Sequence, residues 1–250
     1  MKSRRSLALT AALALSERAE RTGSVCAVIV AAGNSVRFGR PKPFVKIGER
    51  FLFEYSLDAF LASEYVGEVI LAIRKEDQET VQTTLDLRYP GKPVTLCIGG
   101  NTRDESTIRA FRHVNKNAHF VAFHDAARPL ITTDEIDRVV LDAIRYGAAT
   151  AASPVTDSIK RVKNGVITEN VERDGLYAVS TPQIFQKDLY EVARAVCKKD
   201  GFDSTDDNAY VTRAGFSVHV THVSENPKLT YPDDLPGIRL RLLNGKGETT

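Results

Sequence analysis

The alternation of short apolar runs with helical segments constrains this sequence more than any other feature. The first run, 25–32 (VCAVIVAA), is apolar at every position, which is typical of a strand buried on both faces of a parallel sheet. The βαβαβαβαβ rhythm that follows predicts an α/β, Rossmann-like fold with a mostly parallel, helix-flanked sheet. The expected strands are 25–32, 66–73, 94–98, 119–124 and 148–153, and the expected helices are 51–61, 76–87, 103–113 and 132–146.

The rhythm changes after residue 153. Two extended segments, 158–162 and 166–171, flank an Asn164-Gly165 pair that suits the positive φ angles of a type I′ turn. An isolated hairpin is marginal in water, so we expect this arm, about residues 154–177, to protrude and pair with a second subunit. After Thr181 the α/β pattern resumes, with helices near 187–198 and 205–213, a strand at 217–223 and a terminal helix from about Pro232.

Charge and composition exclude several classes of protein. The net charge of +2 comes from residues 1–24, where five basic side chains stand against two acidic ones, so residues 25–250 carry a net −1. We therefore expect no nucleic-acid partner, and a nucleic-acid role for the basic tail has little support. The three cysteines are far apart and form no zinc pattern, and no apolar run reaches the ~20 residues that span a bilayer.

The N-terminus has two interpretations. Residues 1–5 are basic and residues 7–15 are apolar, which imitates a short signal or organelle-targeting segment. Residues 16–23 are charged and lack a clear small-residue cleavage site, which favours a loosely ordered extension over residues 1–24. We expect a cytoplasmic protein whose residues 25–250 form one domain, with organelle targeting as the lesser alternative.

Ligands of parallel sheets bind beyond the carboxyl ends of the strands. This rule selects the loops 31–42, 74–76, 99–106, 124–131 and 154–160. In the first loop, the small residues Ala31-Ala32-Gly33 allow backbone N–H groups to approach a triphosphate. Arg37 and Lys42 add the fixed positive charge that phosphoryl transfer needs. The loop is neither a Walker loop nor a dinucleotide fingerprint, because its glycines lie at 33 and 39.

Two other strand ends carry candidate residues. Gly99-Gly100 opens a helix and offers exposed amides and room for a base or ribose, although a plain loop with a helix cap has the same pattern. Asp125 ends the fourth expected strand, where it can hold Mg²⁺ or a substrate hydroxyl. Arg128 can bind an anion or simply pair with Asp125 to close the loop. His124 is interpreted as structural.

Seven segments in the same order resemble the 2-C-methyl-D-erythritol 4-phosphate cytidylyltransferases of the non-mevalonate isoprenoid pathway. They are AAG…R…PK (31–42), GG..R..S (99–106), HDAARP (124–129), PV.DS.K (154–160), ER.GLY…TPQ.F (172–185), TDD (205–207) and K.T.P.DL (228–235). Each segment is weak alone, and their order is what makes the resemblance specific. It runs from about Val25 nearly to the C-terminus.

The resemblance implies CMP transfer from CTP to 2-C-methyl-D-erythritol 4-phosphate, dependence on Mg²⁺ or another divalent cation, and a homodimer joined through the arm. Arg37 and Lys42 resemble the pair that stabilises the pentacoordinate α-phosphate. Arg173 and Lys228 resemble the pair that positions the substrate phosphate. The other implied substrate contacts are Ala31, Ala32, Gly33, Gly100, Asn101, Ser106, Asp125, Ala126, Arg128, Ser158 and Thr181. Asn101 and Ser106 fall where cytosine is held, and the dimer would place Ser158 and Arg173 in the neighbour's site.

The chain departs from the family pattern at four places. Ser35 replaces a glycine, which removes easy access to positive φ angles. Phe38 replaces a usual Met, Pro43 replaces a usual Gln, and Asn101 stands where the family often has Asp. These changes predict altered CTP affinity or loop mobility without loss of the chemistry.

Two alternative functions remain open from the sequence. A ribitol-5-phosphate cytidylyltransferase resembles this chain through the same loops, but such proteins tend to read AGG and HDAVRP where this chain has AAG (31–33) and HDAARP (124–129). A non-catalytic CTP-binding regulator is the other alternative. The changes at Ser35 and Pro43 favour it, and the retention of all four cations, including Arg173 and Lys228, opposes it.

Overall fold

The computed structural model describes residues 23–33, 38–39, 41–204 and 206–244. Arg37, Ser35 and most of the N-terminal extension therefore lie outside the described residues, and Thr205, the first residue of one expected helix, does too. The strands are β1 (Val25–Val30), β2 (Lys46–Ile47), β3 (Arg50–Phe51), β4 (Val66–Ile73), β5 (Val94–Ile98), β6 (Phe120–Asp125), β7 (Ala148–Pro154), β8 (Ile159–Lys163), β9 (Val166–Val171), β10 (Tyr177–Gln186) and β11 (His219–His222).

Helices separate most of these strands. The α-helices are α1 (Leu52–Ala62), α2 (Gln78–Arg88), α3 (Arg103–Phe111), α4 (Thr133–Tyr146), α5 (Lys187–Lys199), α6 (Asp207–Arg213) and α7 (Leu235–Asn244). In the part of the chain that the structure describes, 3₁₀ helices cover Lys42–Phe44, Lys75–Asp77 and Pro232–Asp234. A capping box begins α4: the Thr132 side chain accepts a hydrogen bond from the Glu135 N–H, and the Glu135 side chain accepts one from the Thr132 N–H.

The central sheet has the strand order β11-β7-β10-β6-β1-β4-β5. Strand β1 pairs in parallel with β4 on one side and with β6 on the other. Its alternate residues enter the apolar clusters on the two sheet faces, Val25 and Ile29 on one face and Val28 on the other. The continuous apolar run is thus explained by burial on both faces, and the predicted α/β, mostly parallel fold is confirmed.

Strand β10 was not predicted. It runs antiparallel to both β6 and β7, between which it lies. Its register with β7 shifts between Val179 and Gln183, around Pro182, which has no N–H to donate to a neighbouring strand. The polar and proline residues at 180–183 obscure the strand in the sequence.

The arm consists of β8 and β9. Its turn residues Asn164 and Gly165 have φ values of 50° and 79°, which confirms the predicted turn with two positive φ angles. All residues from 160 to 170 are exposed, including Val162, Val166 and Ile167, each with more than half of its surface open to solvent. Within the described chain the arm therefore buries neither face of its ribbon.

A third apolar cluster lies apart from the two sheet faces. It joins the first loop, β2 and α1 to the loop after β6 and to the C-terminal segment, through Phe38, Val45, Ile47, Leu52, Ala127, Leu229 and Ile238. Two of its members are close in sequence to basic side chains, since Val45 follows Lys42 by three residues and Leu229 directly follows Lys228. This cluster therefore fixes two distant segments that each present a lysine on the same side of the sheet.

Candidate functional site

A cavity of about 420 Å³ opens at the carboxyl ends of the parallel strands. The first loop, the loop after β5, the end of β6 and the segment after β11 all contribute to it. It is lined by Val30, Ala31, Ala32, Gly33, Lys42, Pro43, Asn101, Thr102, Arg103, Ser106, Asp125, Ala127 and Lys228. Three of the five loops selected by the strand-end rule reach this cavity, and none of the described lining residues comes from 74–76 or 154–160.

Asp125 lies between cations at the centre of this site. Its Oδ1 is 2.9 Å from the Nε of Arg103, and its Oδ2 is 2.7 Å from the Nζ of Lys228. The Nε of Arg128 is 3.8 Å from the same Oδ2. Burial alone would raise the pKa of Asp125, but Arg103 and Lys228 outweigh it and hold that pKa well below its ordinary range. Asp125 is therefore an anion at neutral pH.

A chain of hydrogen bonds lies beneath Asp125. The Asp125 N–H donates to Thr181 Oγ1 over 3.2 Å, and Thr181 Oγ1 is 3.0 Å from His124 Nδ1. His124 Nε2 lies 3.2 Å from the Arg128 carbonyl, which only accepts, so Nε2 carries the hydrogen and the Thr181 hydroxyl donates to Nδ1. Burial lowers the pKa of His124 to about 4, so the ring is neutral at pH 7. Both side chains are buried, and the Thr181 hydroxyl is used within the protein.

The loop after β5 forms the opposite wall. The Gly100 N–H donates to Ser106 Oγ over 2.9 Å, and the Ser106 hydroxyl donates to the Thr102 carbonyl over 2.8 Å. Thr102 caps α3 by accepting a hydrogen bond from the Glu105 N–H over 3.0 Å. Asn101, whose N–H donates to Glu105, and Ser106 both line the cavity. This wall is therefore a rigid turn built on the first residues of α3.

Gly99 brings this wall against the first loop. A Cβ at position 99 would lie 2.4 Å from the Ala32 Cβ and 2.8 Å from Ser106 Oγ. We expect Gly99→Ala to lower the free energy of unfolding by about 1–3 kcal/mol, because the two walls must move apart. Urea unfolding would measure the loss. Gly237→Ala is the control, since nothing lies within 4 Å of its added Cβ and alanine favours a helix; equal effects of the two changes would contradict the expectation.

The remaining predicted residues of the loop after β6 stabilise its shape. Arg128 donates from Nη1 to the Asn226 carbonyl over 2.7 Å, and the Leu229 N–H donates to the Ala127 carbonyl over 2.8 Å. These bonds hold the segment that carries Lys228 against the end of β6. Ala126 is buried in the core of one sheet face.

The arm residues lie away from this cavity. Ser158 and Arg173 are exposed, and neither lines the cavity of its own chain. An Arg173 guanidinium nitrogen donates to the Thr156 carbonyl at the base of the arm. The structure thus brings Lys42, Lys228, Asp125, Asn101 and Ser106 together and leaves the two arm residues apart.

Arg103 was not among the site residues predicted from the sequence. This residue lines the cavity, and its side chain contacts two carboxylates, those of Asp125 and Asp207. Its presence in the segment GG..R..S, directly at a helix start after a strand, was the available signal. Nothing in the spacing along the chain indicated Asp207 as its partner.

The described residues offer little to hold a metal ion by themselves. They contain no group of three or more His, Cys, Asp or Glu side chains suited to a metal ion. Both oxygens of Asp125 already face cations. Mg²⁺ commonly uses one or two carboxylates and takes its other ligands from water and substrate phosphates, and the site fits only that arrangement. Among the described helices, none has the length and apolar character needed to span a membrane.

Comparisons with known proteins agree with this geometry. A family model described as 2-C-methyl-D-erythritol 4-phosphate cytidylyltransferase (IspD) matches residues 25–240. The protein of that name from Caldanaerobacter subterraneus subsp. tengcongensis is 36% identical over 217 residues, covering 85% of this chain and 96% of that protein. The one from Bacillus pumilus is 37% identical over 212 residues, covering 83% and 92%.

Solved structures with a similar fold belong to the same family of enzymes. The 4-diphosphocytidyl-2C-methyl-D-erythritol synthase from Anaerococcus prevotii has a TM-score of 0.77 at 25% identity, covering 88% of this chain and 98% of that one. The 2-C-methyl-D-erythritol 4-phosphate cytidylyltransferase from Thermus thermophilus has a TM-score of 0.72 at 27% identity, covering 86% and 98%. The chain therefore belongs to the 2-C-methyl-D-erythritol 4-phosphate cytidylyltransferase family.

Proposed function

We propose that this chain is a nucleotidyltransferase that transfers CMP from CTP to 2-C-methyl-D-erythritol 4-phosphate and releases pyrophosphate. The observation that carries the proposal is the convergence of Lys42 and Lys228 with Asp125 in a cavity at the strand ends. Family membership supports the choice of nucleotide and acceptor. We also infer that residues 25–250 act as one domain, since the family match covers nearly all of them.

The chemistry suits a site that has cations and no general base. A phosphate oxygen of the acceptor forms a bond to the α-phosphorus of CTP, and the bond from that phosphorus to the bridging oxygen of the leaving pyrophosphate breaks. The attacking oxygen is already anionic near pH 7, so no side chain must remove a proton. Catalysis then rests on positioning and on the stabilisation of negative charge. Lys42, with Arg37 of the same loop, supplies that charge at the α-phosphate.

Different parts of the cavity would bind different parts of the two substrates. Asn101, Ser106 and the amides of the loop after β5 would hold the cytosine, and the small residues 31–33 admit the triphosphate. Asp125 accepts hydrogen bonds from hydroxyl groups of the sugar alcohol, and Lys228 beside it holds the acceptor phosphate. A Mg²⁺ ion would lie on the triphosphate, where it would neutralise charge as the pyrophosphate leaves.

We further propose that the arm completes the site of a second subunit. Its apolar residues Val162, Val166 and Ile167 are exposed in the single chain, and a partner surface would bury them. Ser158 and Arg173 do not line their own chain's cavity, which supports a place in the neighbour's. The acceptor phosphate would then lie between Lys228 of one subunit and Arg173 of the other.

Mixing two inactive variants tests this shared site. Lys228→Ala and Arg173→Ala homodimers should each be nearly inactive, because every site lacks one phosphate-binding cation. A mixture unfolded and refolded together should recover about a quarter of the wild-type activity, because half of the dimers are mixed and each has one intact site. Arg161→Ala, which changes an exposed arm cation paired with Glu169, is the control and should be active alone. A mixture that stays inactive would show that the arm does not serve the neighbouring site.

Product analysis tests the function itself. Purified protein with CTP, Mg²⁺ and 2-C-methyl-D-erythritol 4-phosphate should release pyrophosphate and form the CDP-linked alcohol. Ribitol 5-phosphate, offered separately, should react much more slowly. Faster turnover of ribitol 5-phosphate would favour the first alternative, and CTP binding without any pyrophosphate would favour a regulator.

A further inference from the structure

A buried ion-pair chain extends from the cavity into the protein. Arg103 donates from Nε to Asp125 Oδ1 over 2.9 Å and from Nη1 to Asp207 Oδ2 over 2.7 Å. The Tyr190 hydroxyl donates to the other oxygen of Asp207 over 2.7 Å. The Asp207 side chain is only 1% exposed and does not line the cavity. The proposed chemistry assigns no task to Asp207, Tyr190 or the TDD segment.

The geometry of Arg103 explains what such a chain does. A guanidinium group is planar, and contacts to two carboxylates through different nitrogens fix both its position and its plane. Burial would lower the pKa of Arg103, but Asp207 and Asp125 outweigh it and raise that pKa, so the group stays charged. Asp207 in turn is held by Tyr190, which packs against Phe123 and Phe185 in the core of the sheet. The orientation of Arg103 is therefore set from inside the protein.

The charges around Asp125 also indicate that Asp207 orients Arg103. Three cations, Arg103, Lys228 and Arg128, face the carboxylate of Asp125, and Asp207 is the second anion in contact with Arg103. Without the negative charge of Asp207, these three cations would have Asp125 as their one shared carboxylate. Arg103 would then have only one anionic partner, in the cavity, and its plane would no longer be fixed.

We propose that Asp207 is a positioning residue which, through Arg103, fixes the carboxylate of Asp125 for the acceptor. The proposal rests on the proposed function. It adds a residue that controls how the acceptor is positioned at Asp125 without touching either substrate. Removal of the Asp207 charge should therefore weaken use of the acceptor more than use of CTP.

Steady-state kinetics with both substrates varied tests this role. Asp207→Asn keeps the shape of the side chain and removes its charge. It should lower kcat/KM for 2-C-methyl-D-erythritol 4-phosphate by about 10- to 100-fold, by analogy with the loss of outer-shell residues that orient metal ligands. It should change the KM for CTP by less than about threefold. Asp206→Asn is the matched control. Asp206 is the neighbouring carboxylate, and its Oδ1 accepts from both Gln183 Nε2 and the Asn208 N–H, so the single oxygen of asparagine can keep both bonds. It should leave both parameters unchanged.

A double-variant cycle separates positioning from general stability. If Asp207 acts through Asp125, Asp207→Asn should have little further effect on acceptor kinetics in an Asp125→Asn background. Additive effects would overturn the proposal. Tyr190→Phe removes only the hydroxyl that holds Asp207. It should lower kcat/KM for the acceptor less than Asp207→Asn does, with the KM for CTP unchanged. It replaces Asp207→Asn as the test if that variant fails to fold.

The experimental outcomes distinguish an error in the proposed function from an error in the role of Asp207. A wild-type protein that releases no pyrophosphate refutes the proposed function. A wild-type protein that turns over, while Asp207→Asn and Tyr190→Phe leave acceptor kinetics unchanged, refutes only the role of Asp207. Equal losses for CTP and acceptor also refute it, because they indicate a general distortion of the cavity.

Discussion

Lys42→Ala is expected to lower kcat by about 100- to 1000-fold with little change in the fold. Lys42 begins the 3₁₀ helix Lys42–Phe44 and lines the cavity. A fixed cation that meets charge developing at the α-phosphate contributes about 3–4 kcal/mol to the barrier, by analogy with the loss of one oxyanion-hole donor. The neighbouring Val45 is held in the third apolar cluster, so alanine at position 42 leaves the backbone anchored.

Pyrophosphate release under saturating CTP and acceptor measures this effect directly. Lys46→Ala is the matched control, because Lys46 is an exposed cation four residues away whose amine lies 5.2 Å from the centre of the Phe51 ring. It should retain turnover within about twofold, as expected of a surface change. A folded Lys42→Ala protein with near-native turnover would refute the role assigned to this lysine.

Asp125→Asn is expected to lower stability by about 3–5 kcal/mol and to remove most of the turnover. The substitution removes the anion that Arg103 and Lys228 share, and Asp207 remains as a partner for Arg103 alone. Removing one partner from a buried ion pair costs about this much. The cations left behind are 17% (Arg103) and 38% (Lys228) exposed, so water compensates only part of the loss. Turnover falls because the carboxylate no longer accepts hydrogen bonds from the acceptor.

Urea unfolding at several pH values checks the stability effect. The folded pKa of Asp125 lies below the unfolded value of about 3.9, so its contribution is present above about pH 4 and declines as the pH falls further. The difference between wild type and Asp125→Asn should therefore shrink at acid pH. Glu169→Gln, in the exposed pair with Arg161, is the control and should cost less than about 1 kcal/mol. A variant as stable as wild type at pH 7 would contradict this account.

The fold was predictable where burial on two faces gave each strand an unbroken apolar run. Strand β1, residues 69–73 of β4 and most of β6 were found for this reason, and the arm was found from its Asn164-Gly165 turn. Strand β10 was missed because its middle carries Pro182 and polar residues whose partners lie in other segments. Gln183, for example, donates to Asp206, which is distant in sequence. Strand pairing of this kind depends on tertiary contacts that local patterns do not contain.

The candidate site was predictable to the extent that it consists of strand-end loops. Lys42, Asp125, Asn101 and Ser106 line the cavity, as this rule and the family resemblance indicated. The rule did not reveal that Arg103 connects Asp125 to a carboxylate 104 residues further along the chain. Long-range ion pairs leave no periodicity in the sequence.

The other predicted site residues have different outcomes. Gly100, Ala126 and Arg128 are not among the described lining residues, and the hydrogen bonds of Gly100 and Arg128 shape the loops around the cavity. Thr181 is buried beneath Asp125, with its hydroxyl directed toward His124. Ser158 and Arg173 lie on the arm, and their place in a second subunit's site stays a prediction. Arg37 lies outside the described residues.

The course of β10 sets where this chain tolerates changes in length. One continuous strand of ten residues leads from the arm to the pairing with β6, whose last residue is Asp125. A single residue inserted within 183–186 would turn every later side chain of the strand to the opposite face of the sheet. The same insertion at Asn164-Gly165 would lengthen only an exposed turn. The turn of the arm can therefore change length more readily than the segment that enters the sheet, which keeps a fixed number of residues.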